Sequence, residues 1–244
     1  MDQVSVTAAS GLQSRMEALD MVANNLANAT TGGFKLDREF YSLFSAADNE
    51  DDDASTKLPL IQKQWTDFSQ GVLTPTGNPL DLALSGKGFF AVNGPSGPLY
   101  TRNGSFQLSS NGQLTTSEGY AVLDTNGQPI QTDAQAPIEV GADGSVTQSD
   151  QTLGQLQIVN FQDSSALQKM GNNYFLPSDP KTVPTPAADT TVQQGKAENS
   201  NVAPAESAVR LVGLMRQFEM LQKAISITSD MNKQALTEVA RVGA

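Results

Sequence analysis

The sequence predicts an α+β fold. N- and C-terminal helices pair as a coiled-coil-like helical domain, and a mostly antiparallel all-β domain is inserted between them. Three observations carry this expectation. A heptad-spaced apolar stripe stands near the start of the chain, and a longer one closes it. Between them, short apolar stretches alternate with Asn-Gly and Asp-Gly turns.

The first helix is expected from about Val4 to Thr31. Leu12, Met16, Leu19, Ala23 and Leu26 are spaced 4, 3, 4, 3, which is the repeat of a helix seam. Its end, ANNLANATTGGFK (residues 23–35), carries Asn24, Asn25 and Asn28 where better helix formers would serve. Gly32-Gly33 is a left-handed type of stop, after which Phe34 is free to fold back on the last turn. Read alone, the three asparagines describe a solvated helix face.

The last helix is expected from about Glu206 to Val242, with Pro204 just before it and Ser207 as a capping residue. Leu211, Leu214, Phe218, Leu221, Ile225, Thr228, Asn232, Ala235, Val239 and Val242 keep the 3-4 alternation. Such a helix is on the order of 50 Å long at 1.5 Å per residue. Asn232 and Thr228 on the seam cost stability and fix register.

Between Leu80 and Phe175 the pattern changes. Asn-Gly occurs four times, at Asn93, Asn103, Asn111 and Asn126, and Asp143-Gly144 adds a fifth turn. These are strong hairpin signals. Strands are expected at Leu80–Leu84, Phe89–Val92, Leu99–Thr101, Ser105–Leu108, Gln113–Thr115, Tyr120–Leu123, Ile138–Val140 and Gln155–Val159. Leu84 to Val92 reads as two strands joined by a tight turn. Leu58–Val72, with the single tryptophan Trp65, has room for a further strand pair. Residues 45–58 are acidic and small, an exposed loop. Residues 177–205 hold Pro177, Pro180, Pro184, Pro186 and Pro204 among Ala, Thr and Asp, an extended connector.

The expected organisation is therefore 1–35 and 206–244 as the two helices of one core domain. The connector with the acidic loop covers 36–77, the β domain 78–176, and the extended connector 177–205. Two helices that bury one stripe each make a thin core. The simplest supplier of the missing surface is another subunit.

Composition narrows the chemistry. The 244 residues carry a net charge of -11, so phosphate neutralisation on nucleic acid is disfavoured, and so is an anionic membrane surface. There is no cysteine and no histidine, which removes thiol nucleophiles, zinc-thiolate sites and imidazole bases. No apolar run is long enough to span a membrane, and the first fifteen residues lack the basic and apolar regions of a cleavable export signal. No cofactor is expected.

Local motifs that could carry chemistry have plainer readings. The acidic run Asp48–Asp53 lacks the spaced ligands and glycine of a calcium loop and reads as a solvated loop. Asp124 to Gly127 reads as a hairpin turn. Gly86-Lys87-Gly88 lacks the upstream glycine and following hydroxyl of a phosphate loop. Ser85 with Lys87 has no oxyanion signature beside it.

Together these segments resemble the bacterial flagellar axial proteins, the rod, hook and hook-associated group. Ala23, Asn24, Asn25, Leu26, Ala27, Asn28, Thr31, Gly33, Phe34 and Lys35 fit that family's N-terminal signature. GNPLDLALSGKGFFAV (77–92) and YTRNGSFQLSSNGQLTTSEGY (100–120) resemble the start of the rod proteins' β domain. ENSNVAPAESAVRLVGLMRQFEMLQKAISITSDM (198–231) resembles their C-terminal signature, with Asn199 departing from the usual glycine and Ala203-Pro204 from the usual helix start.

The resemblance covers nearly the whole chain and implies a structural subunit of the flagellar rod, not an enzyme. The short stretch from Gly33 to Asp81 and Asn78-Pro79-Leu80-Asp81 are most similar to the proximal-rod form, then to the distal-rod form. The implied partners are copies of itself, other flagellar rod proteins above and below, and the flagellar export apparatus. No nucleic acid and no membrane insertion are implied. The implied location is the rod crossing the periplasm, reached without a cleaved signal, and the implied role is transmission of torque from motor to hook.

The resemblance also implies an assembly interface of Leu12, Met16, Leu19, Ala23, Asn24, Asn25, Leu26, Asn28 and Phe34 with Leu211, Leu214, Phe218, Leu221, Ile225, Asn232 and Val239. The asparagine amides would bond across subunits. Two other classes remain open: an adhesin-like β module on helical stalks, which needs an exposed aromatic platform, and an acid–base enzyme, which needs two convergent carboxylates in a cleft.

Overall fold

The computed structural model describes residues 3–45, 57–133, 136–179 and 181–242, with side chains at 3–8, 40–45, 57–63, 232, 235, 236, 238–240 and 242 left out. The acidic run Asp48–Asp53 lies outside the described residues. The chain divides into two compact units. One holds α1 (Gln3–Ala27), β1 (Asp37–Ser45), β2 (Lys57–Thr66) and α2 (Pro204–Val242); the other holds Asn28–Leu36 and Thr66–Val202.

In the helical unit α1 and α2 pack on one another, as the terminal seams predict. Ala18, Val22 and Leu214 form the buried centre of that contact, with Leu19 and Leu211 beside it. On α2 the predicted seam faces inward: Leu214 is buried and Leu211, Phe218, Leu221 and Ile225 are half-buried. On α1 the structure corrects the expectation. Its buried face is Ser14, Ala18, Met21, Val22 and Asn25, whereas Met16 and Ala23 of the predicted seam are exposed and Leu12, Leu19 and Leu26 lie half-buried at the flank. The inward face is rotated by about a third of a turn from the leucine stripe at ~100° per residue. Small side chains such as Ser14 and Ala18 let two helix backbones approach, and the bulkier stripe is left outside.

The segment expected to be connector and strand pair holds a two-stranded ribbon instead. β1, DREFYSLFS, pairs with β2, so 58–72 contributes one strand rather than two.

The other unit contains β3 (Leu73–Pro75), β4 (Leu82–Ser85), β5 (Phe89–Gly94), β6 (Gly97–Thr101), β7 (Gln107–Leu108), β8 (Leu114–Thr115), β9 (Ala121–Val122), β10 (Ile138–Val140), β11 (Ser145–Gln148) and β12 (Gln151–Gln155). It continues with β13 (Ile158–Asn160), β14 (Leu167–Lys169), β15 (Tyr174–Pro177), β16 (Thr185–Pro186), β17 (Thr191–Gln194) and β18 (Lys196–Glu198). Every described pairing is antiparallel.

The main sheet runs β14-β15-β6-β5-β9-β8-β7, with β13 also on β5. β5 is buried on both faces, which explains its unbroken Phe89-Phe90-Ala91-Val92 run. Phe90 and Val92 enter the larger core with Leu82, Leu84 and Leu114. Phe89 and Ala91 enter a second core with Tyr100, Phe161 and Phe175, whose rings meet edge to face at centroid distances of 4.9–6.0 Å, the arrangement aromatic pairs prefer.

Two further expectations change. β4 and β5 are strands, but they do not form a hairpin: β4 pairs with β17. Residues 177–205 are not a plain connector either, since β16, β17 and β18 pair with β13, β4 and β3. Pro186 is tolerated in β16 because that strand sits at an edge.

Candidate functional site

The polar close of α1 is resolved residue by residue. Asn25 is buried, and both ends of its amide are taken by one residue of β1. Its Nδ2 donates to Asp37 O at 2.8 Å, and Asp37 N donates to its Oδ1 at 3.0 Å. The side chain thus imitates a strand neighbour and fixes where β1 starts. Arg210 of α2 forms an ion pair with Glu39 of β1, whose side chain is buried. The ribbon is therefore held to both helices.

Asn28 is half-buried, and its Oδ1 accepts from the Thr31 hydroxyl at 3.3 Å. Asn24 is exposed. Phe34 is buried under the Lys169 ammonium, 4.2 Å from its ring centroid. Asn25 and Phe34, both expected at an interface, are thus enclosed within the subunit. The side chains of Asn232 and Val239 lie outside the described residues.

The site that residue-level reading missed is a buried charge triad in the β unit. Lys35 Nζ lies 2.5 Å from Glu198 Oε1 and donates to Ser69 O at 2.7 Å. Arg102 Nη1 lies 3.2 Å from Glu198 Oε2, and its Nη2 donates to Gly86 O at 2.7 Å. Gly71 N also donates to Glu198 Oε1, at 2.9 Å. The Lys35 and Glu198 side chains are 0% exposed and that of Arg102 3%. Two cations share one carboxylate, and Arg102 Nε has no partner. Burial pulls the Lys35 ammonium below the usual lysine range, against the attraction of Glu198. Arg102 is lowered for the same reason, and a guanidinium stays charged regardless.

The backbone closes tightly around the triad. Gly33, at φ +68°, donates its N–H to Glu198 O at 2.7 Å. A Cβ at Gly33 would stand 2.4 Å from Asn103 N. The second glycine of the TTGGFK close is needed both for its left-handed backbone and for this approach. The Asn201 side chain accepts from Leu36 N and donates to Asp67 O. Lys35, Arg102 and Glu198 each lie in a different one of the quoted segments, 23–35, 100–120 and 198–231.

A cleft of about 430 Å³ is lined by Thr125, Asp143, Gln155, Ile158, Pro184 and Pro186, among others. Its carboxylate, Asp143, accepts from both the backbone and the hydroxyl of Ser145. Among the described residues no helix is long and apolar enough to cross a membrane, and no acidic or histidine cluster could hold a metal ion.

α2 exposes large apolar side chains, and the β unit encloses one charge triad. The comparisons with known proteins give the family. The family described as Flagella basal body rod protein matches residues 6–35. The Flagellar hook protein FlgE/F/G D1 domain matches 83–148, and the Flagellar basal body rod FlgEFG protein C-terminal matches 193–238. Each matched segment contributes one member of the triad.

The chain is 33% identical to the flagellar basal-body rod protein FlgF of Caulobacter vibrioides over 99% of its length and 100% of the relative's. It is 34% identical to FlgF of Mesorhizobium japonicum, covering 96% and 95%. It is also 34% identical to FlgG of Buchnera aphidicola subsp. Schizaphis graminum, covering 94% and 96%. The chain belongs to the flagellar basal-body rod protein family.

Proposed function

We propose that the chain is a structural, non-catalytic subunit of the bacterial flagellar rod, of the proximal-rod type, that polymerises through its terminal helices. The observation that carries this is a second apolar stripe on α2. Val209, Val212, Met220, Ile227 and Met231 are 49–75% exposed, on the side away from the seam that meets α1. Covering such residues stabilises by about 1.5–3 kcal/mol for each one fully buried, and most helix stability in proteins comes from packing an apolar face.

Met16, Ala23 and Asn24 of α1, flanked by Leu12, Leu19 and Leu26, give the matching outer face. Leu211, Phe218, Leu221 and Ile225 are half-buried and extend the contact from α2. Asn25 and Leu214 support these faces within the helical unit, and Asn28, Asn232 and Val239 are further proposed interface residues. The partners are further copies of this chain and other rod proteins above and below. The chain reaches its place across the periplasm through the flagellar export apparatus. Many parallel contacts of this kind carry torque from motor to hook.

Alignment lengths support the proximal type. The FlgG alignments run to 254 and 256 positions while covering 94% of this chain, so those relatives carry residues that it lacks. The alignment with the Caulobacter vibrioides FlgF runs to 245 positions over 99%. A distal-rod subunit is the alternative, and complementation of single rod-gene deletions separates the two.

Ile227→Asp tests the assembly role. Its side chain is half exposed, so the isolated subunit is expected to fold as before, while rods fail to incorporate it and swimming is lost. Normal swimming with the variant present in purified basal bodies would contradict the proposal.

A further inference from the structure

The segment that returns the chain from the β unit to α2 completes that unit at several distant points. β17 pairs along β4 from Thr191↔Ser85 to Gln194↔Leu82, and β18 pairs with β3. Among the described residues β4 has no other strand neighbour, yet Leu82, Ala83 and Leu84 are buried to within 1%. Val192 enters the larger core. The Gln194 amide accepts from Val140 N and donates to Ile138 O and Pro79 O, saturating the outer edge of β10.

Glu198 supplies the carboxylate that bridges Lys35 and Arg102. The Asn199 backbone runs so close to Gly71 that a Cβ there would stand 1.9 Å from Asn199 O. These side-chain partners lie 54 to 163 residues earlier in the chain.

We propose that residues 190–202 are a folding clasp: the β unit cannot close its core until this segment is in place. Before it arrives, two cations would have to be buried without their counter-charge, and β3 and β4 would have no strand to pair with. An isolated buried charge is too costly to carry, and each unpaired buried backbone group adds the cost of a lost hydrogen bond. A chain that emerges amino-terminus first, from a ribosome or through any narrow passage, therefore stays open until about residue 201 is free. The device rests on the β unit alone and stands whether or not the rod reading holds.

Amide hydrogen exchange on the full-length protein, in rising but sub-denaturing urea, tests it. The bonded amides of Gly33, Val192 and Asn199 report the clasp; those of Ala91 and Leu123, bonded to Gln157 O and Ala91 O, report the core. The clasp amides are expected to open in the same event as the core, with the same rate and the same dependence on urea. Clasp amides exchanging at least tenfold faster than Ala91 and Leu123, through an opening that leaves the core protected, would overturn the proposal.

Full-length Glu198→Gln gives a second reading. Exchange at Ala91 and Leu123 is expected to rise at least tenfold along with the clasp. A rise confined to 190–202 would overturn the proposal. If this variant does not fold, the wild-type measurement decides.

Discussion

Glu198→Ala is expected to destabilise the β unit by about 3–5 kcal/mol, the usual cost of removing one partner from a buried ion pair and stranding the other. Here two cations are stranded, Lys35 and Arg102, neither with more than 3% of its side chain exposed. Urea unfolding followed by circular dichroism reads the loss directly. A control separates charge from shape: Lys35→Met, Arg102→Met and Glu198→Leu combined in one chain should recover most of the stability, since no buried charge then lacks a partner. A loss below about 1 kcal/mol in Glu198→Ala would mean that water reaches the triad and that its charges need no partner.

Leu214→Asp is the second large effect. Leu214 is 6% exposed and packs on Ala18 and Val22 at the centre of the helix contact. The change removes an apolar contact of about 1.5–3 kcal/mol and sets a carboxylate against apolar side chains without a partner. The helices should separate, incorporation into rods should be abolished, and the β unit should keep its own unfolding transition. Far-UV circular dichroism of the purified subunit, beside immunoblots of purified basal bodies, checks both halves. Motility at the wild-type level would count against the role given to the helix pair.

Some of this was legible in the sequence. A period of 3.5 residues has a definite geometric meaning, so Leu211, Leu214, Phe218, Leu221 and Ile225 are found along one side of α2. Turn chemistry is local too: Gly112, Gly127 and Gly144 adopt the positive φ that their Asn-Gly and Asp-Gly pairs predict, whereas Gly94 and Gly104 of the other two pairs do not. The face α1 turns to α2 was not legible, because a helix with two apolar stripes does not say which one its own chain covers.

β17 and β18 were hidden among prolines and threonines; Val192 is their one large apolar side chain. They form because, among the described residues, β4 and β3 have no other strand to pair with, which is a fact about the rest of the chain. The triad was hidden for the same reason. Its members stand at positions 35, 102 and 198, and only tertiary structure brings them within hydrogen-bond distance. Asn25 shows the limit most clearly: as a helix residue it looked like a poor choice, and its use is to hold the first residue of a strand.

The chain has no natural cysteine, so Met220→Cys places a single reporter on the exposed stripe of α2. The most direct test of the assembly account is the rate at which a maleimide labels it, in the isolated subunit and in purified basal bodies. Rapid labelling of the subunit and at least tenfold protection in the rod is the predicted result. Equal rates in the two states, with the variant incorporated, would contradict the claim that this face is covered by a neighbour.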